Sequence, residues 1–239
     1  MSEKYTIEAR SFKIPDNENA PTVAAHNFWV LKNEKNEIIS QLHGLATDRS
    51  TNEIMPIGYW ESKHSLRAYQ IQNPKYMIRE NQPTKTVFTG DKEDVLARWN
   101  KAVSVISEIN KQDLNYPSLG VKFFSKTINS NSVYQTFGQI MDIPVPEFEK
   151  GLQPGLENNA LPQDFIQQNK YHKPNNLSSN IESDTKTQNI KQANLDLSKT
   201  QDNSNGLRDI TSLAFKNAIQ EAKEMMQNSD SQTKNRTLS

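Results

Sequence analysis

Short apolar stretches separated by polar, turn-forming residues fill the first ninety or so residues of the chain. Residues 25–31 and 38–46 are two such stretches, and the polar connection 33–37 between them is rich in turn-forming residues. This arrangement is typical of a β-hairpin. Similar patterns predict further strands, the first of them an edge strand, at residues 5–14, 54–60, 65–71 and 84–89.

Each strand of the predicted hairpin carries one histidine, either His26 or His43. A turn centred near Lys35 and Asn36 places His26 opposite residues 43–45, and cross-strand neighbours have Cβ atoms only about 5 Å apart. We therefore expect the two histidine side chains to lie within reach of each other. The expectation depends on register, because a shift of one residue would put them on opposite faces of the sheet.

The hydrophobic period changes after Asp91. Apolar residues then recur at helical spacing as far as Ile109, and acidic residues occupy the first turn, where the helix dipole favours them. A second amphipathic helix is predicted from Asn131 to about Asp142, since two prolines follow it closely. Its apolar residues are Val133, Phe137, Ile140 and Met141. The chain is thus expected to form an α+β domain over residues 1–160, in which two helices pack on an antiparallel sheet.

Polar residues dominate the chain beyond the predicted domain. Residues 161–205 have too few apolar side chains to offset the entropy lost on folding, so we predict a disordered linker. Residues 206–228 have the pattern of an amphipathic helix, and residues 229–239 are predicted to be a disordered tail. The helix has two interpretations: it docks to a partner protein or to a second copy of the chain, or it folds back on the domain.

Charge and composition argue against several classes of function. The chain has 28 basic and 28 acidic residues, which are intermixed, so it has no basic surface for nucleic acid or for anionic lipid. Because it has no cysteine, it forms neither a disulfide nor a thiolate metal site. The sequence contains no glycine-rich phosphate loop, dinucleotide fingerprint or metal-ligand spacing, and we expect neither a cofactor nor a metal.

The first residues of the sequence lack the apolar segment of a secretory signal. No apolar run approaches the length of a membrane span, and none is expected. We therefore expect the protein to be cytoplasmic, or to be exported without a cleaved signal peptide.

Residues 127–134 place two serine hydroxyls, those of Ser130 and Ser132, at the start of the second predicted helix. A helix start offers unpaired N–H groups and the positive end of the dipole, which can activate a nucleophile or hold an oxyanion. A serine also needs a base and a group that orients the base. We expect Ser130 to be the nucleophile, His26 the base and His43 the orienting group, with Ser132 as the alternative nucleophile.

Helix capping is a second interpretation of the same hydroxyls. Serine, threonine and asparagine are common N-cap residues, and Ser132 with Gln135 three positions later has the spacing of a capping box. On this interpretation the helix start has a structural role and no catalytic one.

Five features follow one another over residues 24–142: a strand with a histidine, a second strand with a polar residue, a long helix, Tyr116, and a helix that opens with an Asn-Ser pair. This order resembles the circularly permuted papain-like superfamily, which includes permuted NlpC-type peptidases and lecithin retinol acyltransferase-like proteins. The resemblance implies that Ser130 stands at the nucleophile position, His26 at the base and His43 at the third polar position. Enzymes of the superfamily use a cysteine thiolate, whereas this chain has no cysteine.

Two hypotheses of function follow. The first is a hydrolase or acyl transferase that acts on an amide or ester bond of a peptide or acyl substrate. The second is a catalytically inactive papain-like protein with a binding or structural role in a bacterial phage or secretion system, whose C-terminal helix docks to a partner. Serine is far less acidic than cysteine, so the first hypothesis requires strong help from the base.

Overall fold

The computed structural model describes residues 3–14, 24–55, 62–120, 126–149 and 152–173. An antiparallel sheet of six strands packs against helices, which confirms the predicted α+β class. The strands are β1 (Lys4–Ile14), β2 (Ala24–Lys32), β3 (Ile38–Asp48), β4 (Ile54–Met55), β5 (His64–Ile71) and β6 (Thr84–Asp91). The α-helices are α1 (Lys92–Ser104), α2 (Ile106–Lys111), α3 (Ser130–Ile140) and α4 (Gln163–Asn169), and Ser118–Gly120 forms a turn of 3₁₀-helix.

The strands lie in the order β4-β3-β2-β1-β6, and β5 also pairs with β3. Strand β1 is therefore central, because it pairs with β2 on one side and with β6 on the other. The prediction of an edge strand at residues 5–14 is wrong. Its second neighbour, β6, is distant in the sequence, and the local pattern of β1 does not predict that pairing.

Strands β2 and β3 form the predicted hairpin, in which Trp29 lies opposite Leu42. In the turn, the Asn33 side chain accepts hydrogen bonds from two backbone N–H groups, and Asn36 has a left-handed φ of 64°. Asparagine adopts this conformation more readily than most residues. The local chemistry of the turn therefore sets the register that brings the two histidine-bearing strands together.

The long helix predicted after Asp91 is in fact two helices, α1 and α2, which meet at Val105. The N–H of Val105 bonds the carbonyl of Ala102, three residues earlier, so the α-helical ladder is interrupted there. Helix α3 starts and ends close to its predicted bounds. Among the described helices, none is both long and apolar enough to cross a membrane.

Alternate residues of each strand supply the two faces of the sheet. The face that packs against α3, here called the helix face, carries the main core, and there Trp29 Nε1 donates to the carbonyl of Tyr134 at 2.9 Å. The opposite face is here called the second face. The helix face of the three central strands includes Ile7, Ala9, Asn27, Trp29, Leu31, Leu42, Gly44 and Ala46. The second face of the same strands includes Glu8, Arg10, Phe12, His26, Phe28, Val30, Gln41, His43 and Leu45.

Helix α4 belongs to the folded domain. Ile166 is fully buried in the core, the N–H of Tyr171 donates to the carbonyl of Ile140 at 2.7 Å, and the Tyr171 hydroxyl donates to Asp94. The predicted boundary at residue 160 is therefore too early, because the few apolar residues that follow it are enough to anchor a short helix. The remainder of the predicted linker, the amphipathic helix 206–228 and the tail lie outside the described residues.

Candidate functional site

The start of α3 is closed by a capping box, although a different residue caps it than the sequence predicts. Asn129 is the N-cap, and its Oδ1 accepts the N–H of Asn131 at 2.8 Å and that of Ser132 at 3.4 Å. In return, Ser132 Oγ accepts the N–H of Asn129 at 3.1 Å. The capping interpretation is thus confirmed in kind, whereas the predicted pairing of Ser132 with Gln135 is replaced by Asn129 with Ser132.

Ser132 has a structural role. Its side chain is fully buried, and its hydroxyl also donates to the carbonyl of Gly155 at 2.8 Å. Both the donor and an acceptor position of the hydroxyl are therefore used, and the oxygen is closed off from solvent. This environment argues against Ser132 as a nucleophile.

Asn131 ties the first turn of α3 to the sheet. Its Oδ1 accepts the backbone N–H of Asn27 at 3.0 Å, and its Nδ2 donates to the carbonyl of Ala25 at 3.0 Å. A single amide thus satisfies the N–H of Asn27 and the carbonyl of Ala25, two backbone groups of β2 that are not paired with a neighbouring strand. The Asn-Ser-Asn-Ser sequence at residues 129–132 is used mainly to build this junction.

Ser130 lies between Tyr116 and Gly44. The Tyr116 hydroxyl donates to Ser130 Oγ at 3.4 Å, and burial raises the pKa of Tyr116. A Cβ atom placed on Gly44 would lie only 3.1 Å from the Ser130 Cα, so the helix start touches the backbone of β3 at this point. Tyr116 therefore stays a neutral phenol that donates to the serine and does not remove its proton.

The two predicted histidines meet as expected. His26 Nε2 and His43 Nδ1 are 3.0 Å apart, and the imidazole rings are stacked with centroids 5.3 Å apart. Burial lowers the pKa of His26 to about 4. Burial, with a smaller contribution from His26, lowers the pKa of His43 well below its usual value. Both side chains are therefore neutral at pH 7.

The histidine pair and Ser130 occupy opposite faces of the sheet. Trp29 and Gly44 point towards α3, and strand alternation puts His26, three residues before Trp29, and His43, next to Gly44, on the second face. The structure therefore brings His26 and His43 together and does not bring either to Ser130. The predicted arrangement of nucleophile, base and orienting group is not assembled.

Next to the two histidines, the strand residues that face α3 are Asn27 and Gly44. Asn27 is fully buried, and its Nδ2 donates to Gln153 Oε1 at 2.6 Å, while its Oδ1 has no hydrogen-bond partner among the described residues. Neither an amide nor a glycine can take a proton from a serine. On the helix face, the positions next to the two histidines thus lack a base.

His64 is the remaining buried histidine and lies on the helix face, at the start of β5. Its Nε2 is 3.9 Å from Oδ2 of Asp48, the residue opposite it in β3. Hydrogen bonds from Ser50 and the backbone of the turn lower the pKa of Asp48 to about 2. Asp48, opposite His64, is four residue steps along β3 from Gly44, which contacts Ser130. At about 3.3 Å per step, this places His64 about 13 Å from that contact.

Gln41 and Tyr76 contact the histidine pair, and with His26 and His43 they form what is here called the histidine cluster. The sequence pattern predicts neither of the two as a site residue. Gln41 Oε1 lies 2.9 Å from His43 Nε2, and the Tyr76 ring meets the His43 ring edge-on. Spacing provides a signal for Gln41, since residues two apart in a strand share a face. No comparable signal exists for Tyr76, which comes from the connection between β5 and β6.

Comparisons with protein-family models, curated proteins and solved structures found no match to this chain. The site must therefore be interpreted from its own geometry. Within the described ranges, no group of three or more histidine or acidic side chains is placed to hold a metal ion.

Proposed function

We propose that this chain is a catalytically inactive binding or structural protein with a papain-like order of elements. The observation that carries the proposal is the placement of Ser130 on the helix face and of His26 and His43 on the second face. A serine hydroxyl is a poor nucleophile unless a base within hydrogen-bond reach takes its proton. Tyr116, which contacts Ser130, donates instead.

The polar residues of the helix start support a structural role. Asn129 and Ser132 close the first turn of α3, and Asn131 holds that turn against β2. Their hydrogen bonds also extend to residues 154–155, which thereby join the same junction. A role in packing explains these residues without any substrate. In a papain-like fold without catalysis, the cleft can serve as part of a binding module.

A direct test asks whether Ser130 reacts. We expect a fluorophosphonate probe to leave the full-length protein unlabelled, and a panel of nitrophenyl esters and peptide amides to remain unhydrolysed, because no base of the described residues is hydrogen-bonded to the hydroxyl. Ser130→Ala should behave as the wild type does. Labelling that disappears in both Ser130→Ala and His26→Ala would instead support the hydrolase or acyl transferase hypothesis.

The binding part of the proposal concerns the amphipathic segment predicted at residues 206–228, outside the described residues. Phe215 and Ile219 lie at the centre of its apolar arc, so replacing both with aspartate should abolish self-association in sedimentation velocity experiments. Asn217→Asp with Gln220→Asp is the matched control, because it adds the same charge to the polar side. Equal loss in both pairs would contradict docking through the apolar arc.

A further inference from the structure

The hydrogen bonds of the histidine cluster have a single direction. Gln41 Nε2 donates to the carbonyl of Asn73 at 2.9 Å, so Gln41 Oε1 is the atom that accepts from His43 Nε2. With its proton on Nε2, neutral His43 accepts at Nδ1, and His26 Nε2 must donate to it. The chain of donors thus runs from His26 through His43 and Gln41 to the backbone of Asn73.

This series of hydrogen bonds can hold one added proton but not two. His26 Nδ1 carries a lone pair and has no hydrogen bond to any described residue, so it can take a proton while His26 Nε2 continues to donate. A second proton has to go to His43 Nδ1, which already accepts from His26. Two donors would then face each other across 3.0 Å, with a positive charge on each ring.

At its far end, this series of hydrogen bonds reaches residues 72–83, here called the strap. The strap connects β5 to β6 across the second face. The strap is attached by the Gln41 bond to Asn73, by the edge-on contact of Tyr76 with His43, and by the N–H of Ser11, which donates to the carbonyl of Pro83 at 3.1 Å. Two of its residues, Met77 and Asn81, have left-handed φ values of 50° and 58°. That conformation is unfavourable for methionine, so the strap depends on its attachments.

No carboxylate among the described residues compensates for charge on the histidine pair. Glu8 is the acidic side chain on this part of the second face, and it is bound to Lys32 and Arg10. The Arg79 guanidinium lies over the ring of Phe12, the residue opposite His26 in β1. Among the described residues, the titratable and charged groups that face the pair are Glu8 and Arg10 from β1, Lys32 from β2, Arg67 and Tyr69 from β5, and Tyr76 and Arg79 from the strap.

We propose that His26, His43 and Gln41 form an acid-sensitive latch: uptake of a second proton by the histidine pair breaks the His26–His43 hydrogen bond and releases the strap from the second face. This inference is independent of the proposed absence of catalysis. Between about pH 6.5 and 4 the closed latch binds neither proton, whereas the open form, with ordinary histidine pKa values, takes up both. Acid therefore shifts the equilibrium towards opening. The low pKa of His26, about 4, agrees with this direction.

Proton counting gives the latch a quantitative signature. Below about pH 6.5, the ordinary pKa of histidine, opening that is linked to two protons should increase about 100-fold per pH unit, and opening linked to one proton about tenfold. The single variants His26→Gln and His43→Gln each leave one titrating ring. Their strap opening should therefore increase about tenfold per pH unit, and that of the double variant should not depend on these protons at all.

Hydrogen exchange of the full-length protein between pH 7 and 4.5, corrected for intrinsic exchange rates, measures this directly. We expect amides of the strap to lose protection with the two-proton slope while amides at the centre of β2, such as that of Phe28, stay protected. A strap whose opening does not depend on pH, or depends on it equally in the double variant, overturns the proposal. Loss of protection in the strap and β2 together also overturns it, because the event is then global unfolding.

Discussion

Asn131 and Asn27 are joined by a hydrogen bond of 3.0 Å, which the backbone N–H of Asn27 donates to the side-chain Oδ1 of Asn131. The Nδ2 of the same Asn131 amide donates to the carbonyl of Ala25. The contact fixes the first turn of α3 on β2 across more than a hundred residues of sequence. Since both strand atoms are buried, nothing replaces these hydrogen bonds once the amide is removed. The start of α3 is thus a structural joint.

Asn131→Leu should therefore be strongly destabilising. Leucine keeps the branched heavy-atom arrangement of asparagine but leaves a buried N–H and a buried carbonyl of β2 without partners, and each costs about 1–3 kcal/mol. We expect a loss of about 2–5 kcal/mol in the free energy of unfolding, measured by urea denaturation. Asn100→Ala, at an exposed position of α1, is the control and should change stability by about 0.5 kcal/mol or less. If Asn131→Leu changed stability as little as this control, water would have to reach the unpaired groups between α3 and β2.

Gly44 is required by the close approach of α3 to β3. An added Cβ would lie 2.6 Å from the Val133 Cβ and 3.1 Å from the Ser130 Cα, and neither atom can move without shifting the helix. Gly44→Ala should cost about 1–3 kcal/mol in thermal or chemical unfolding, as overpacked substitutions do.

Gly90→Ala is the matched control, because its added Cβ would meet the edge of the Phe88 ring at 3.1 Å, a side chain that can turn aside. It should be close to neutral. If Gly44→Ala were equally neutral, α3 would not rest on β3 as closely as the structure indicates.

The sequence predicts the hairpin but not the face on which its histidines lie. Asn33 and Asn36 give the turn a recognisable chemistry, and the turn fixes which strand positions are opposite each other. In β2, however, both faces are buried, from His26 and Phe28 on one side to Asn27 and Trp29 on the other. When both faces are apolar the hydrophobic pattern has no period of two, so nothing local indicates which one meets α3.

Long-range pairing and short elements set the other limits of prediction. The central position of β1 depends on β6, which is far away in sequence, and local patterns contain no information on that pairing. Helix α4 was missed because a helix of 7 residues with one fully buried side chain, that of Ile166, resembles polar linker in composition. The α+β class was predictable because the strand and helix periods are each repeated several times.

The buried histidines make the stability of the domain fall with acid. His26 has a pKa of about 4 in the folded chain against about 6.5 when unfolded, so the unfolded chain binds more protons between these values. Stability is therefore full above about pH 6.5 and is lost as the pH falls towards 4, by about 3 kcal/mol for this group.

Urea denaturation at a series of pH values measures this dependence. In His26→Gln the loss over the same interval should be smaller by about 1.4 kcal/mol per pH unit, because one titrating group is gone. His172→Gln, at an exposed position, is the control and should retain the wild-type dependence. An unchanged dependence in His26→Gln would mean that His26 does not have to become neutral in order to fold.

Within the described residues, 163–173 form the last segment that packs on the core, so two truncations should differ sharply. A chain that ends at residue 162 loses Ile166 from the core, together with the Tyr171 hydrogen bonds to Ile140 and Asp94. Removing one buried isoleucine side chain costs about 2–5 kcal/mol by itself, so a fall of many degrees in melting temperature is expected. A chain that ends at residue 173 retains every one of these contacts and should melt above the shorter chain by that margin. Equal melting temperatures for the two truncated chains would contradict the packing of α4 and restore the domain boundary near residue 160.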